Sequence, residues 1–218
     1  MTKLVIFDMD GTLFKTDTIE VAAMNAALIE NGFKSKSEDE ILSLIGPSAG
    51  DVCRELLGNV DAVIRDKFIS DVTRYEIIEI ARSGELYNGV FEMLSRLKDK
   101  GYTVCICTNG LQDYVNAILD KFRLRTLFDM VHFYTEGITK VDGVGIIKER
   151  FDVETFVLVG DRLQDIKAAA INGGVSIGVT YGYGKEEVHA ADYVAENINE
   201  IEKIMDSYFE SGYIPYKV

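Results

Sequence analysis

Five short apolar runs, rich in Val and Ile and bounded by turn residues, recur along the chain at 3–8 (KLVIFD), 103–108 (TVCICT), 129–133, 155–160 (TFVLVG) and 174–179 (GVSIGV). Stretches with apolar residues at helical spacing lie between them, at 89–100, 111–122, 142–151 and 163–171. A strand that is apolar at successive positions must be covered on both faces. Intervening helices can do this when the strands run parallel and each helix crosses back over the sheet. The pattern therefore predicts an α/β fold, a doubly wound parallel sheet. One interval breaks the alternation: 16–84 holds no strand, whereas TIEVAAMNAALIENG (18–32) and DAVIRDKFISDVTRYEIIEIARSG (61–84) have helical periodicity and close near Gly. Four helices fit there, with GPSAGD (46–51) as the loop in the middle. The expected organisation is a core domain formed by 1–15 and 85–218 and a helical cap domain formed by 16–84. A final amphipathic helix is expected over NINEIEKIMDSYFESG (197–212).

Composition narrows the classes of function. Hydrophobic residues make up 47% of the 218 and charged residues 27%, enough for a sizeable core. No apolar stretch is long enough to cross a bilayer and the N-terminus reads as strand, so a cytoplasmic location is expected. Asp and Glu outnumber Lys and Arg by 36 to 23, a formal charge of −13, which disfavours nucleic acid and anionic membranes as partners. A small anion can still bind where one lysine or a cation governs the field inside a cleft. Three cysteines without a CxxC, and two histidines far apart, point away from a disulfide framework or a zinc site. No sequence signal bears on oligomeric state.

The first apolar run ends in acids: VIFDMDGTLF (5–14) places Asp8 and Asp10 at the carboxyl end of a strand, where open parallel sheets bind ligands. Two residues apart in extended chain, both can face one cleft. Like charges so close resist joint ionisation unless a cation lies between them or one holds a proton. VCICTNG supplies Thr108, Asn109 and Gly110, donors suited to phosphate oxygens, and VLVGDRLQD supplies Asp161 and Asp165. Four carboxylates at one sheet edge suit a hard cation such as Mg²⁺. Lys140, in GITKVDG, is the candidate to offset the remaining charge, with Lys148 as rival; 21 residues from Lys140 to Asp161 leave room for one helix and one strand. Gly11 lets the backbone turn as it leaves the strand so that neighbouring N–H groups approach a phosphate, and Thr12 can cap that turn. GYGKE (182–186) lacks the spacing of a phosphate loop and reads as a turn with some active-site contact.

DMDGT, the strand-terminal Thr108–Asn109, a lysine and GDRLQD occur in the order that resembles the haloacid dehalogenase superfamily of hydrolases, over essentially the whole chain. IGPS (45–48) and IGVTYGYG (177–184) are similar to its phosphoglycolate phosphatase-like branch. The resemblance implies a Rossmann-like core with an inserted helical cap, and a Mg²⁺-dependent phosphomonoesterase acting on a small phosphorylated metabolite through a phospho-aspartate. It implies Asp8 as nucleophile and Asp10 as general acid and then base. Mg²⁺ would lie between Asp8, the Asp10 carbonyl and Asp161, with Asp165 in support. Thr108 and Lys140 would hold phosphoryl oxygens, and Lys140 would orient Asp8. Gly46, Pro47, Ser48 and Arg54, in or beside the middle loop of the insert, are candidates for choosing the substrate. A phosphosugar mutase and a catalytically silent phosphate-ligand sensor are the alternatives. Dehalogenase chemistry is disfavoured because it does not use an acid/base at the Asp10 position.

Overall fold

A computed structural model describes residues 2–211 of the chain. Strand β1 (Leu4–Phe7) leads through a turn into a two-residue strand β2 (Phe14–Lys15). Four helices follow: α1 (Glu20–Glu30), α2 (Glu38–Leu42), α3 (Ala49–Leu57) and α4 (Ala62–Ser83). The chain then returns through β3 (Glu85–Leu86) to α5 (Val90–Asp99), β4 (Thr103–Cys107), α6 (Gln112–Lys121) and β5 (Met130–His132). It continues as α7 (Lys140–Phe151), β6 (Val157–Gly160), α8 (Leu163–Ile171), β7 (Val175–Val179), β8 (Tyr193–Ala195) and α9 (Ile198–Ser211). Gly212, the last residue of the final helix expected from sequence, lies outside the described residues.

Among the described residues the main sheet has strand order β5-β4-β1-β6-β7-β8, every neighbouring pair parallel. The chain moves outward from β1 to β4 and β5, then crosses to the other side of β1 for β6, β7 and β8. That reversal beside β1 opens a crevice at the carboxyl ends of β4, β1 and β6. This is the doubly wound α/β fold expected from the alternation of apolar runs and helical stretches.

Side-chain alternation along the strands explains the two layers. Val5, Phe7, Val104, Ile106, Val157 and Val159 pack with α5, α6 and α9, through residues such as Leu94, Ile118 and Ile201. Leu4, Ile6, Cys105, Cys107 and Leu158 face the other way, onto Val144 and Ile147 of α7 and Ala168 and Ala169 of α8. Cys105 and Cys107 are thus small apolar core residues. All four β1 side chains are fully buried, each contributing about 1.5–3 kcal/mol relative to exposure.

Helices α1–α4 have their own apolar centre, built from Met24, Ala27, Leu28, Ile41, Cys53, Phe68 and Val72. Ser37, Ser48 and Asp61 cap the N-termini of α2, α3 and α4 with side-chain oxygens. The loop read at 46–51 is consequently shorter than expected, because the Ser48 cap starts α3 at Ala49. The insert joins the sheet domain by two chain crossings, β2 and β3, which pair antiparallel, Phe14 with Leu86 and Lys15 with Glu85. At the far end of α4, Lys121 of α6 donates to the Gly84 carbonyl at 2.8 Å. Strands β2, β3 and β8 were not expected; at two or three residues each they are too short to show periodicity, and pairing alone defines them.

Replacing Ile6 by Ala removes a fully buried side chain from the central strand. The expected cost is about 2–5 kcal/mol, seen as a lower urea midpoint with an unchanged slope.

Candidate active site

Asp8 follows β1 directly and remains in the ladder, its N–H donating to the Val159 carbonyl at 2.9 Å. Thr108 ends β4 in the same way, donating to the His132 carbonyl at 3.1 Å. Asp161 follows β6. Three neighbouring strands therefore deliver three buried polar side chains to one rim. Asp165 lies in the first turn of α8, where its Oδ2 accepts from the Arg162 N–H at 3.0 Å.

Lys140 reaches this rim because of a cap. Thr139 and Asp142 form reciprocal side-chain to backbone bonds at 3.2 and 2.9 Å, which makes Lys140 the first residue of α7. Its Nζ lies 2.9 Å from Asp8 Oδ1 and also pairs with Asp165. Lys148, the rival, donates to the Asn172 carbonyl at 2.8 Å, two turns further along the same helix.

The carboxylates of Asp8, Asp161 and Asp165 each present an oxygen within 4.8 Å of the others. Burial pushes Asp8 well above the usual carboxylate range, Lys140 pulls it back, and Asp165 and Asp161 push it up again. Asp161 is pushed up to about 7, by burial first and then by Asp165. Burial works against the Lys140 charge, but Asp165 and Asp8 outweigh it and hold its proton more firmly than usual. One lysine is thus set against three buried acids. Asp161 Oδ1 is buried and has no hydrogen-bond partner among the described residues. An orphaned carboxylate oxygen beside two other carboxylates is a donor set for a hard divalent cation, so the residues fit Mg²⁺.

Asp10 is held apart from this cluster. Its Oδ1 accepts from Thr16 Oγ1 at 2.7 Å and from the Tyr114 hydroxyl. Burial raises its pKa while these two donors oppose the shift. Asp8, Asp10, Thr108, Asn109 and Gly110 line one cavity of about 750 Å³, mouth included, whose opposite wall comes from α1, the 44–49 segment, α3 and α4.

Several expectations need correction. Thr12 does not cap its turn: its hydroxyl is buried without a partner among the described residues, because the N–H groups of Leu13 and Phe14 both close on the Met9 carbonyl. The Gly11 N–H donates to the Phe14 carbonyl at 3.0 Å. Gly11 adopts φ +72° and a Cβ there would overlap the Asp161 carboxylate, so the glycine serves close packing behind the cluster. The Asn109 amide turns to the insert, donating to the Gly46 carbonyl at 2.8 Å and to Gln164 at 3.2 Å. The Gly110 N–H donates to Thr108 Oγ1 at 3.0 Å. Gly46 and Pro47 line the cavity, whereas Ser48, which caps α3, and Arg54, which pairs with Asp51, line an adjoining pocket that shares Asn109 and Leu111 with it and also holds Lys140. The 182–186 turn touches the cluster through the Tyr183 N–H, 2.6 Å from Asp161 Oδ2.

Sequence reasoning missed Thr16, Tyr114, Glu20 and Glu76. The last two had a legible signal. Glu20, Met24 and Leu28 share one stripe of α1, and Phe68, Val72, Glu76 and Ile80 one stripe of α4, so each acid stands in an otherwise apolar row.

The family model for haloacid dehalogenase-like hydrolases matches residues 5–179. The chain belongs to that family. It is 28% identical to a phosphoglycolate phosphatase of Agrobacterium fabrum over 84% of this chain and 82% of the relative. It is also 28% identical to a phosphoglycolate phosphatase of Aquifex aeolicus over 94% and 98%. The crystal structure of a predicted phosphatase from Clostridium acetobutylicum superposes with a TM-score of 0.82 at 25% identity, covering 95% of this chain and 99% of that one. With these relatives, the chain is a hydrolase of the phosphatase type. No helix among the described residues is long and apolar enough to cross a membrane.

Asp161 gives a pH signature. A carboxyl raised from 3.8 to about 7 holds a proton in the folded state that the unfolded chain has released, so its contribution is complete below about pH 3.8 and declines as pH rises towards 7. Urea midpoints measured in EDTA should fall across that window. Mg²⁺ should flatten the fall, and Asp161→Asn should remove the Asp161 share of it.

Proposed function

We propose that the protein is a Mg²⁺-dependent phosphomonoesterase acting on a small phosphorylated metabolite through a phosphorylated Asp8. The observation that carries this reading is the pairing of Lys140 with both Asp8 and Asp165 beside the unpartnered Asp161 oxygen. Asp8, Asp161 and the Asp10 carbonyl would hold the ion, with Asp165 in support; when bound, it would supply positive charge to phosphoryl oxygens.

In the first displacement an Asp8 carboxylate oxygen bonds to phosphorus as the bond from phosphorus to the leaving oxygen breaks. Asp10 gives its proton to that oxygen, releasing an alcohol. In the second, Asp10 takes a proton from water as the water oxygen bonds to phosphorus, and the Asp8 carboxylate leaves. Inorganic phosphate is released and both acids return to their starting states. Lys140, reaching Asp8 at 2.9 Å, keeps its charge throughout and neutralises phosphoryl oxygens, while the Thr108 hydroxyl is free to donate to one of them. Tyr114 and Thr16 keep the Asp10 carboxyl turned into the cavity and stabilise it after it loses its proton.

Helices α1–α4 act as the lid. The cavity is walled on one side by strand ends and on the other by the insert, so closure excludes water while the acyl phosphate exists. Phosphoglycolate is the substrate named for several relatives, but the cavity wall differs in kind from the rim and bears on the choice of leaving group separately.

Asp8→Asn should abolish phosphate release from p-nitrophenyl phosphate while leaving the melting curve cooperative. Asp10→Asn should lower kcat by about 10²–10⁴. Acid quenching of the wild type with labelled substrate should leave the label on the peptide containing Asp8. Turnover by Asp8→Asn, or label on another residue, would refute the assignment.

A further inference from the structure

The cavity wall opposite Asp8 is apolar apart from Thr73 and two acids. Met24, Leu44, Ile45, Val52, Phe68 and Val72 form most of it, and Glu20 and Glu76 stand among them. Among the described residues no Lys, Arg or His lines the cavity; Lys140 contacts Asp8, at the phosphoryl end. A substrate carboxylate carried into this wall would therefore meet two carboxyl groups and Asp10, with no cation to receive it.

Both acids are placed there by helical geometry. Glu20 occupies the first turn of α1 in line with Met24 and Leu28, and Glu76 continues the Phe68, Val72 row of α4. Helices α1 and α4 pack directly on each other, and both carboxyls line the cavity at that seam. Two carboxyls so close resist joint ionisation, so the pair keeps a proton until a cation joins it. Glu20 is 8% exposed, and an ionised carboxylate in such a place is costly without a counter-charge. Burial raises both groups, Glu20 to about 7, with Asp10 as the next contribution, and Glu76 well above the usual range, with Glu20 next. Nothing basic within the cavity supplies the missing charge. An incoming ligand can.

Resting on the phosphatase reading above, we infer that the leaving group is an alkyl chain bearing an ammonium group, and that Glu20 and Glu76 select it against carboxylate-bearing esters such as phosphoglycolate. The phosphoryl group takes the Asp8 end, the alkyl chain lies along Met24, Phe68 and Val72, and the ammonium meets the acid pair. The relatives' named substrate carries a carboxylate where this chain offers carboxyls.

The test compares kcat/KM for matched monophosphate esters of short alkyl chains that end in an ammonium, a hydroxyl or a carboxylate, phosphoglycolate included, with p-nitrophenyl phosphate as a general phosphatase probe. The ammonium ester should lead and the carboxylate ester trail by roughly 10²-fold, as one misplaced like charge predicts. In Glu20→Gln/Glu76→Gln that ratio should shrink at least about tenfold; the wild-type series stands by itself if the double variant fails to fold. Equal or better turnover of the carboxylate or hydroxyl ester, with p-nitrophenyl phosphate hydrolysed, overturns the substrate assignment and leaves the phosphatase reading intact. No hydrolysis of any ester, p-nitrophenyl phosphate included, in the presence of Mg²⁺ overturns both.

Discussion

The contact of Lys140 with Asp8 and Asp165 is the interaction on which this molecule turns. Three carboxylates are brought to one buried rim by the ends of β1 and β6 and the start of α8. Their desolvation would be prohibitive without a positive group in contact. The lysine offsets part of that cost and leaves a deficit. The orphaned Asp161 oxygen is where that deficit is located, which is why the residues fit a divalent ion and why the rim is chemically poised in its absence from any other partner.

The same rim depends on the topology around it. Because β1 lies between β4 and β6, residues distant in sequence, Thr108 and Asp161, flank Asp8 on either side. The Thr139 cap then decides where α7 begins and so where Lys140 points. Asp10 sits outside the charge cluster because Thr16 and Tyr114 claim its carboxyl. Two acids separated by a single residue thus experience different surroundings, one paired with a lysine among close carboxylates and the other held by two hydroxyls, which allows them different tasks.

Much of the fold was legible because each apolar run maps to one strand and each strand end to one polar residue. Asp8, Thr108 and Asp161 could be read this way, since a strand that stops at an acid or hydroxyl announces its rim position locally. Lys140 needed the spacing to β6 as well, and the cap at Thr139 supplies the geometry that spacing alone lacked. What could not be read depended on direction within a loop. Ser48 and Arg54 lie beside the cavity in sequence, yet the start of α3 turns one into a cap and sends the other to the surface. Thr12 was expected to close a turn that the backbone closes without it. Glu20 and Glu76 were visible only as acids in apolar rows, a signal whose meaning appears once α1 and α4 are packed together.

The paired crossings β2 and β3 have a mechanical consequence. Because Phe14 pairs with Leu86 and Lys15 with Glu85, both chain connections between the sheet and the insert run through one narrow ribbon, beside which α4 also packs on α6. Away from that ribbon Asn109, next to the buried Thr108 at the rim, donates to the Gly46 carbonyl. The one strand end thus carries both a candidate site residue and a tie to the insert, so the position of the 44–49 segment is coupled to that of the rim.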